Sequence, residues 1–175
     1  IAGELNANIK AVIANHNHLQ DLVEKFNIPF TCISAEGLNR EEHEDKMIAK
    51  INEYEPELIV LAKYMRILTS KFVETFPKKV LNIHHSFLPA FIGANPYKQA
   101  HERGVKIIGA TAHYVTNDLD EGPIVFQDVV RVDHSYSWED MRNAGRNVEK
   151  IVLSNAFELL LNDRVFVHGN KTVIL

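Results

Sequence analysis

The chain has 175 residues, 46% hydrophobic and 24% charged, which suits one globular domain with a real core and excludes a peptide hormone or a disordered tail. Its 19 Lys and Arg stand against 23 Asp and Glu, a net charge of -4, so no basic excess exists to neutralise a phosphate backbone and nucleic acid is not an expected partner. No apolar stretch is long enough to span a bilayer and no secretory pattern opens the chain, so no membrane partner and a cytoplasmic setting are expected.

The chain begins at Ile1, and IAGELNANIK reads as the tail of an element followed by a turn. Apolar runs then alternate with helix-like stretches. Strands are predicted at 9–14, 30–34, 58–62 and 79–83, with helices at 19–26, 40–54 and 69–75 between them. In the second helix Met47, Ile48, Ile51 and Tyr54 make an apolar stripe, Asn39 is an N-cap, and Glu41, Glu42, Glu44 and Asp45 suit the positive end of the dipole. That acidic surplus is expected to be a solvated face. Nearly continuous apolar strands indicate a parallel sheet with helices on both faces, a doubly wound α/β fold. The lone cysteine, Cys32, cannot form an internal disulfide, and within such a strand it is expected to pack as a small apolar side chain.

After Leu88 the pattern changes. NPYKQAHERG is predicted to be a short helix closed by Gly104, and IIGATAHYV and PIVFQDVVRV flank the polar turn TNDLDEG as an antiparallel hairpin on the sheet edge. A long helix starts at the N-cap Ser137, with Asp140 three residues on. Its stripe of Trp138, Met141, Ala144, Val148, Ile151, Val152, Ala156, Leu159 and Leu160 is expected to be core. RVFVHGNKTVIL reads as two strands joined by a turn, and no repeat or linker divides the chain.

The glycines stand at 3, 37, 93, 104, 109, 122, 145 and 169, so no G-x-G-x-x-G turn can be built, and no Walker loop is present. Nine histidines raise the question of a metal, but neither H-E-x-x-H nor a cysteine pair occurs. His16 and His18 read as loop residues, and no metal is expected. The informative stretch is LNIHHSFLPAF, residues 81–91. Side chains two apart on a strand share a face, so Asn82 and His84 stand together at the carboxyl end, where open α/β sheets bind ligands. The bland alternative is that both satisfy loop backbone groups. A second polar cluster, Asn117, Asp118, Asp120 and Glu121, can reach the same sheet edge. Asp120, just before the Glu-Gly-Pro break, is the acid best placed to orient an imidazole. An amide, an imidazole and a carboxylate suffice for acyl chemistry without a covalent intermediate. Ser86 is the rival nucleophile, but it lacks the G-x-S-x-G elbow, and Cys32 lies too deep in an apolar strand.

YMRIL at 64–68, LNIHHSFLPAF at 81–91, GATAHYVTNDLDEGPIV at 109–125 and the RVFVHGNKTVIL ending together resemble the catalytic domain of the formyltetrahydrofolate deformylases and, more distantly, the glycinamide ribonucleotide transformylases. The resemblance covers essentially the whole chain. It implies a formyltransferase-like fold and a place in one-carbon metabolism linked to purine biosynthesis. It also implies that Asn82 and His84 stabilise a formyl oxyanion while Asp120 orients His84 and water. The same resemblance implies that Met65, Arg66, Leu68, Val115, Asn117 and Asp118 bind the folate, with the Arg66 side chain available to its glutamate. Hydrolysis of 10-formyltetrahydrofolate to tetrahydrofolate and formate is thus expected, with folate as substrate, no cofactor and a homo-oligomeric assembly. His85, where transformylases carry Pro, and the FIGANPY loop resemble the deformylase version. Formyl transfer to glycinamide ribonucleotide and an idle folate-binding protein are the alternatives. Full-length deformylases resemble chains with an N-terminal ACT domain. Residues 1–175 are accordingly expected to be the catalytic domain, short of its first strand and helix and of any ACT domain.

Overall fold

The computed structural model describes residues 5–91 and 95–175, so Ile92–Ala94 of FIGANPY and the first residues of the IAGELNANIK opening lie outside the described residues. The chain folds as two compact units, Ile1–Ile59 with Arg66–Pro77 and Val60–Met65 with Lys78–Leu175.

In the first unit, strand β1 (Val12–Ala14) is followed by a 3-10 turn, helix α1 (Gln20–Glu24), strand β2 (Phe30–Cys32) and helix α2 (Arg40–Tyr54). β1 and β2 pair in parallel, Val12 opposite Phe30 and Ala14 opposite Cys32, as the βαβ reading predicts. α2 begins where its cap predicts. The Asn39 side chain accepts from the Glu42 N–H at 2.9 Å, and the Glu42 carboxylate accepts from the Asn39 N–H at 3.0 Å. This reciprocal box satisfies two of the helix's orphan donors. Strand β3 (Ile59–Leu61) crosses into the second unit, and helix α3 (Ser70–Thr75) returns to the first with Thr69 as its N-cap.

Two expectations for this unit are corrected. Cys32 is exposed, because it ends a three-residue strand and so reaches beyond the covered part. Glu44 is 1% exposed and not on a solvated face. Its carboxylate turns inward and accepts from the Thr69 N–H at 3.1 Å and from the Thr69 hydroxyl, so an acid of α2 closes the start of α3. Asp45, by contrast, stays exposed and pairs with Lys71.

The second unit holds a four-stranded sheet in the order β3-β4-β5-β6, where β4 is Val80–His84, β5 Ile107–Tyr114 and β6 Ile124–Arg131. β5 runs antiparallel to both neighbours. Between β4 and β5 comes helix α4 (Pro96–Arg103), with Pro at its start and Gly104 closing it in the left-handed region at φ 69°, as the sequence predicts. Helix α5 (Trp138–Leu161) starts at a second reciprocal box between Ser137 and Asp140 and packs on β5 and β6. Strands β7 (Val165–His168) and β8 (Lys171–Ile174) form the predicted terminal hairpin. Val80, Leu81, Ala110, Ala112, Val152 and Ala156 are all but sealed from solvent, so the core lies between α5 and the middle of the sheet.

The α5 stripe is narrower than predicted. Met141, Val148, Val152 and Ala156 are buried, but Trp138 and Ile151 are exposed. Trp138 is the first helical residue, and the Arg142 guanidinium stacks on it, 4.9 Å from the ring centroid. Among the described residues no helix is long and apolar enough to cross a membrane.

Candidate active site

Strand pairing brings the polar side chains together. In β4 the apolar Val80 and Leu81 are buried in the core, while Asn82 and His84 share one face. Antiparallel pairing sets Asn82 opposite His113 of β5, and side chains directly opposite on neighbouring strands meet on the same face. The Asn82 amide nitrogen lies 3.2 Å from His113 Nε2, and His113 Nδ1 lies 2.9 Å from the Tyr114 carbonyl oxygen. A carbonyl only accepts, so Nδ1 carries the proton. In the neutral ring Nε2 is then the acceptor for one Asn82 N–H. The amide's other N–H remains able to donate.

Asp120 enters from the turn between β5 and β6, with its backbone in the left-handed region at φ 57°. A non-glycine residue held there costs of order 1–3 kcal/mol, a strain that clusters at functional sites. Its carboxylate spans two imidazoles. Oδ2 is 3.4 Å from His84 Nδ1 and Oδ1 is 3.7 Å from His113 Nε2, with all three side chains less than 10% exposed. These are ion-pair separations rather than close hydrogen bonds. When protonated, the imidazole of His113 and then that of His84 hold the Asp120 carboxyl well below the usual carboxylate range, against the opposing effect of burial. Asp120 is therefore an anion across the neutral and mildly acid range.

With Nδ1 of His84 facing that anion, Nε2 is the ring atom left to meet a ligand. It is buried and has no hydrogen-bond partner among the described residues. Buried polar atoms are nearly always partnered, so a partnerless one on the face shared with an amide and an imidazole marks a place where something binds. The bland reading of Asn82 and His84, as groups that satisfy a loop, does not describe these contacts.

Thr111, opposite His84, fixes the chain beyond β4. Its hydroxyl donates to the Ser86 carbonyl at 2.8 Å and accepts from the Leu88 N–H at 3.0 Å. Ser86 itself is buried, and its hydroxyl donates to the Ala90 carbonyl at 2.6 Å, not to a histidine. Cys32 belongs to the other unit. His16 and His18 are exposed loop residues with ring centroids 5.5 Å apart, and among the described residues no group of His, Cys, Asp and Glu is placed to hold a metal ion.

The sequence-based set thus divides. Asn82, His84 and Asp120 are gathered within the second unit. Val115, Asn117 and Asp118 lie on the segment that carries Asp120. The Val115 N–H is bonded to the Val80 carbonyl at 2.8 Å, and the side chains of Asn117 and Asp118 are exposed. Met65 is 72% exposed, not the core residue that burial statistics alone suggest. Leu68 is half-buried in the first unit. The Arg66 guanidinium lies 3.2 Å from Nδ1 of the buried His43. His43 Nε2 faces the Ile33 carbonyl at 2.9 Å, so Nε2 carries the proton and Nδ1 accepts from Arg66. His113 is the member that sequence reasoning missed. Its only signal was a histidine within an apolar strand, and its partner is fixed by register, which the sequence does not state.

Residues 1–157 match the formyl transferase family model. The chain belongs to the formyl transferase family. Within it, the chain is 63% identical over 173 residues to the formyltetrahydrofolate deformylase of Escherichia coli strain K12, covering 99% of this chain and 62% of that protein. The crystal structure of a formyltetrahydrofolate deformylase from Pseudomonas syringae superposes with a TM-score of 0.95 at 46% identity, covering 98% of this chain and 58% of that one. Glycinamide ribonucleotide transformylase 1 from Symbiobacterium toebii gives 0.93 at 30% identity, covering 99% and 83%. The chain spans about three fifths of the length of the deformylases it matches.

Proposed function

We propose that this chain hydrolyses 10-formyltetrahydrofolate to tetrahydrofolate and formate. The observation that carries the reading is the anionic Asp120 facing His84 Nδ1 while His84 Nε2 is buried without a partner. The relatives' activity supplies the substrate. In this reading the formyl oxygen gains charge as water adds to the formyl carbon, and it is met by the second N–H of Asn82 and by His84 Nε2–H. Asp120 orients His84 and the water. As the water adds it gives up a proton, which N10 takes as the C–N10 bond breaks, and the carbonyl re-forms as formic acid, which ionises to formate. Donors placed at a developing oxyanion are worth about 10²–10³ in rate each. The set is complete for water as nucleophile without a cofactor. Met65, Arg66, Leu68, Val115, Asn117 and Asp118 are proposed folate contacts on the family resemblance.

Formyl transfer to glycinamide ribonucleotide is the second reading, favoured by the transformylase superposition at 30% identity. One assay separates them. The protein is mixed with 10-formyltetrahydrofolate with and without glycinamide ribonucleotide, and formate and formylated amine are measured. Formate released without the amine is the expected result. Formylated amine with no formate from the substrate alone would make the chain a transferase, and neither product would leave only a folate-binding role.

A further inference from the structure

Beyond the site, the ring of His85 lies parallel to that of His84, with centroids 5.5 Å apart and planes 11° from each other. Its other neighbour is Tyr97 of α4, with ring centroids 6.1 Å apart and planes at 29°. Both spacings fall in the range of offset stacking. Tyr97 is buried and its hydroxyl donates to the Glu149 carboxylate of α5 at 2.6 Å, a charge-assisted bond. The fit is specific, because a Cβ at Gly145 would come within 2.2 Å of the Tyr97 hydroxyl oxygen, so only glycine there admits the ring. A row of side chains therefore runs from α5 to the candidate site: Glu149, Tyr97, His85, His84, Asp120.

His85 is only partly buried among the described residues. A cavity of about 410 Å³ lies against it, lined also by Phe87, Phe91, Ala100 and Ile108. A ring that borders open volume can turn unless a directed contact stops it, since packing fixes a side chain only where its neighbours close around it. Burial lowers the pKa of His85, which favours its neutral ring beside His84. Tyr97 keeps its own proton, since burial and the bond to Glu149 both raise its pKa, and its role as donor is fixed.

We propose that Tyr97 and Glu149 are positioning residues for the reaction: Glu149 anchors the Tyr97 hydroxyl, Tyr97 fixes the His85 ring, and His85 backs the His84 imidazole so that Nε2 meets the formyl oxygen. The proposal rests on His84 acting as described under the proposed function. A group held away from its productive geometry by about 1 Å loses about 10²-fold in rate, and a ring freed to turn only part of the time loses less.

The test uses the intact chain and three variants, Tyr97→Phe, Glu149→Ala and Glu149→Gln. Each is followed by kcat and KM for formate release and by the ¹⁵N signals of the His84 ring. Tyr97→Phe keeps the ring and removes only the anchored hydroxyl. It and Glu149→Ala are expected to lower kcat about tenfold with KM within about twofold, and to shift the His84 ring signals. Glu149→Gln keeps an acceptor and is expected to restore kcat to within about threefold of the wild type, with His84 signals near those of the wild type. Folded Tyr97→Phe and Glu149→Ala proteins with wild-type His84 signals and wild-type kcat overturn the proposal. So does a loss of thermal stability alone, with the His84 signals unmoved. A wild-type chain that releases no formate defeats the functional reading instead, and the His84 signals still decide whether Tyr97 and Glu149 set that ring.

Discussion

Two buried polar clusters, one in each unit, differ in a way that separates scaffold from chemistry. Around His43 and Glu44 the groups are spent on the fold. His43 uses one ring nitrogen on the Ile33 carbonyl and the other on Arg66, and Glu44 accepts from both the backbone and the hydroxyl of Thr69. Around His84 the groups are held back. Asp120 stands 3.4 and 3.7 Å from its two imidazoles, and one ring nitrogen has no partner among the described residues. A fully satisfied buried network rigidifies a core, whereas a partly satisfied one keeps capacity for a ligand at a cost in stability. Loss of a group from the first cluster should therefore register in stability, and loss of one from the second in turnover.

The sharpest way to break this contrast is Asp120→Asn. In the proposed reaction it removes the charge that orients His84 and water, and formate release should fall by about 10³-fold or more. It should also flatten one limb of the stability profile. A carboxyl held below its ordinary pKa in the folded chain stabilises above its unfolded value, near about 4, and that contribution is lost as pH falls through that value toward the depressed one. Chemical denaturation of the wild type should weaken along that limb, and the Asn variant should lack that part of the slope. Next in size, Asn82→Ala and His84→Ala should each lower kcat by about 10²–10³-fold with little change in KM, read from steady-state formate release. A KM effect alone would move both residues from the chemistry to the binding of folate.

The first cluster should answer in the other observable. Glu44→Ala leaves the Thr69 N–H and hydroxyl without their acceptor and should cost about 2–3 kcal/mol in denaturant unfolding, with kcat of the folded protein unchanged. A large loss of kcat at full stability would erase the distinction between the clusters. Smallest of all, Asn39→Ala removes one side of the box that starts α2 and should cost about 1 kcal/mol, measured the same way, with turnover unaffected.

What could be read from the sequence was what short range decides. The starts of α2 and α5 follow from Asn39 with Glu42 and Ser137 with Asp140, and the end of α4 follows from Gly104, because each signal lies within four residues of its effect. The common face of Asn82 and His84 follows from the two-residue repeat of a strand. Asp120 was legible because the Glu-Gly-Pro break locates the turn. His113 was not, since facing Asn82 depends on the register of two strands 31 residues apart. Glu44 was misread because a helical acid is usually solvated, and only the return of Thr69 to the same unit makes it a cap for α3. Cys32, Trp138 and Ile151 were misread for a related reason: apolar pattern gives the face of an element, and tertiary packing sets how much of that face is covered.

In the proposed reaction His84 Nε2 meets the formyl oxygen. A crystal structure of the chain with a non-hydrolysable folate analogue bearing a formyl group at the N10 position tests this directly. The formyl oxygen should lie about 2.7–3.1 Å from His84 Nε2 and at similar range from the Asn82 amide, with Asp120 still against Nδ1. A bound analogue whose formyl group lies beyond hydrogen-bond reach of both side chains would contradict it.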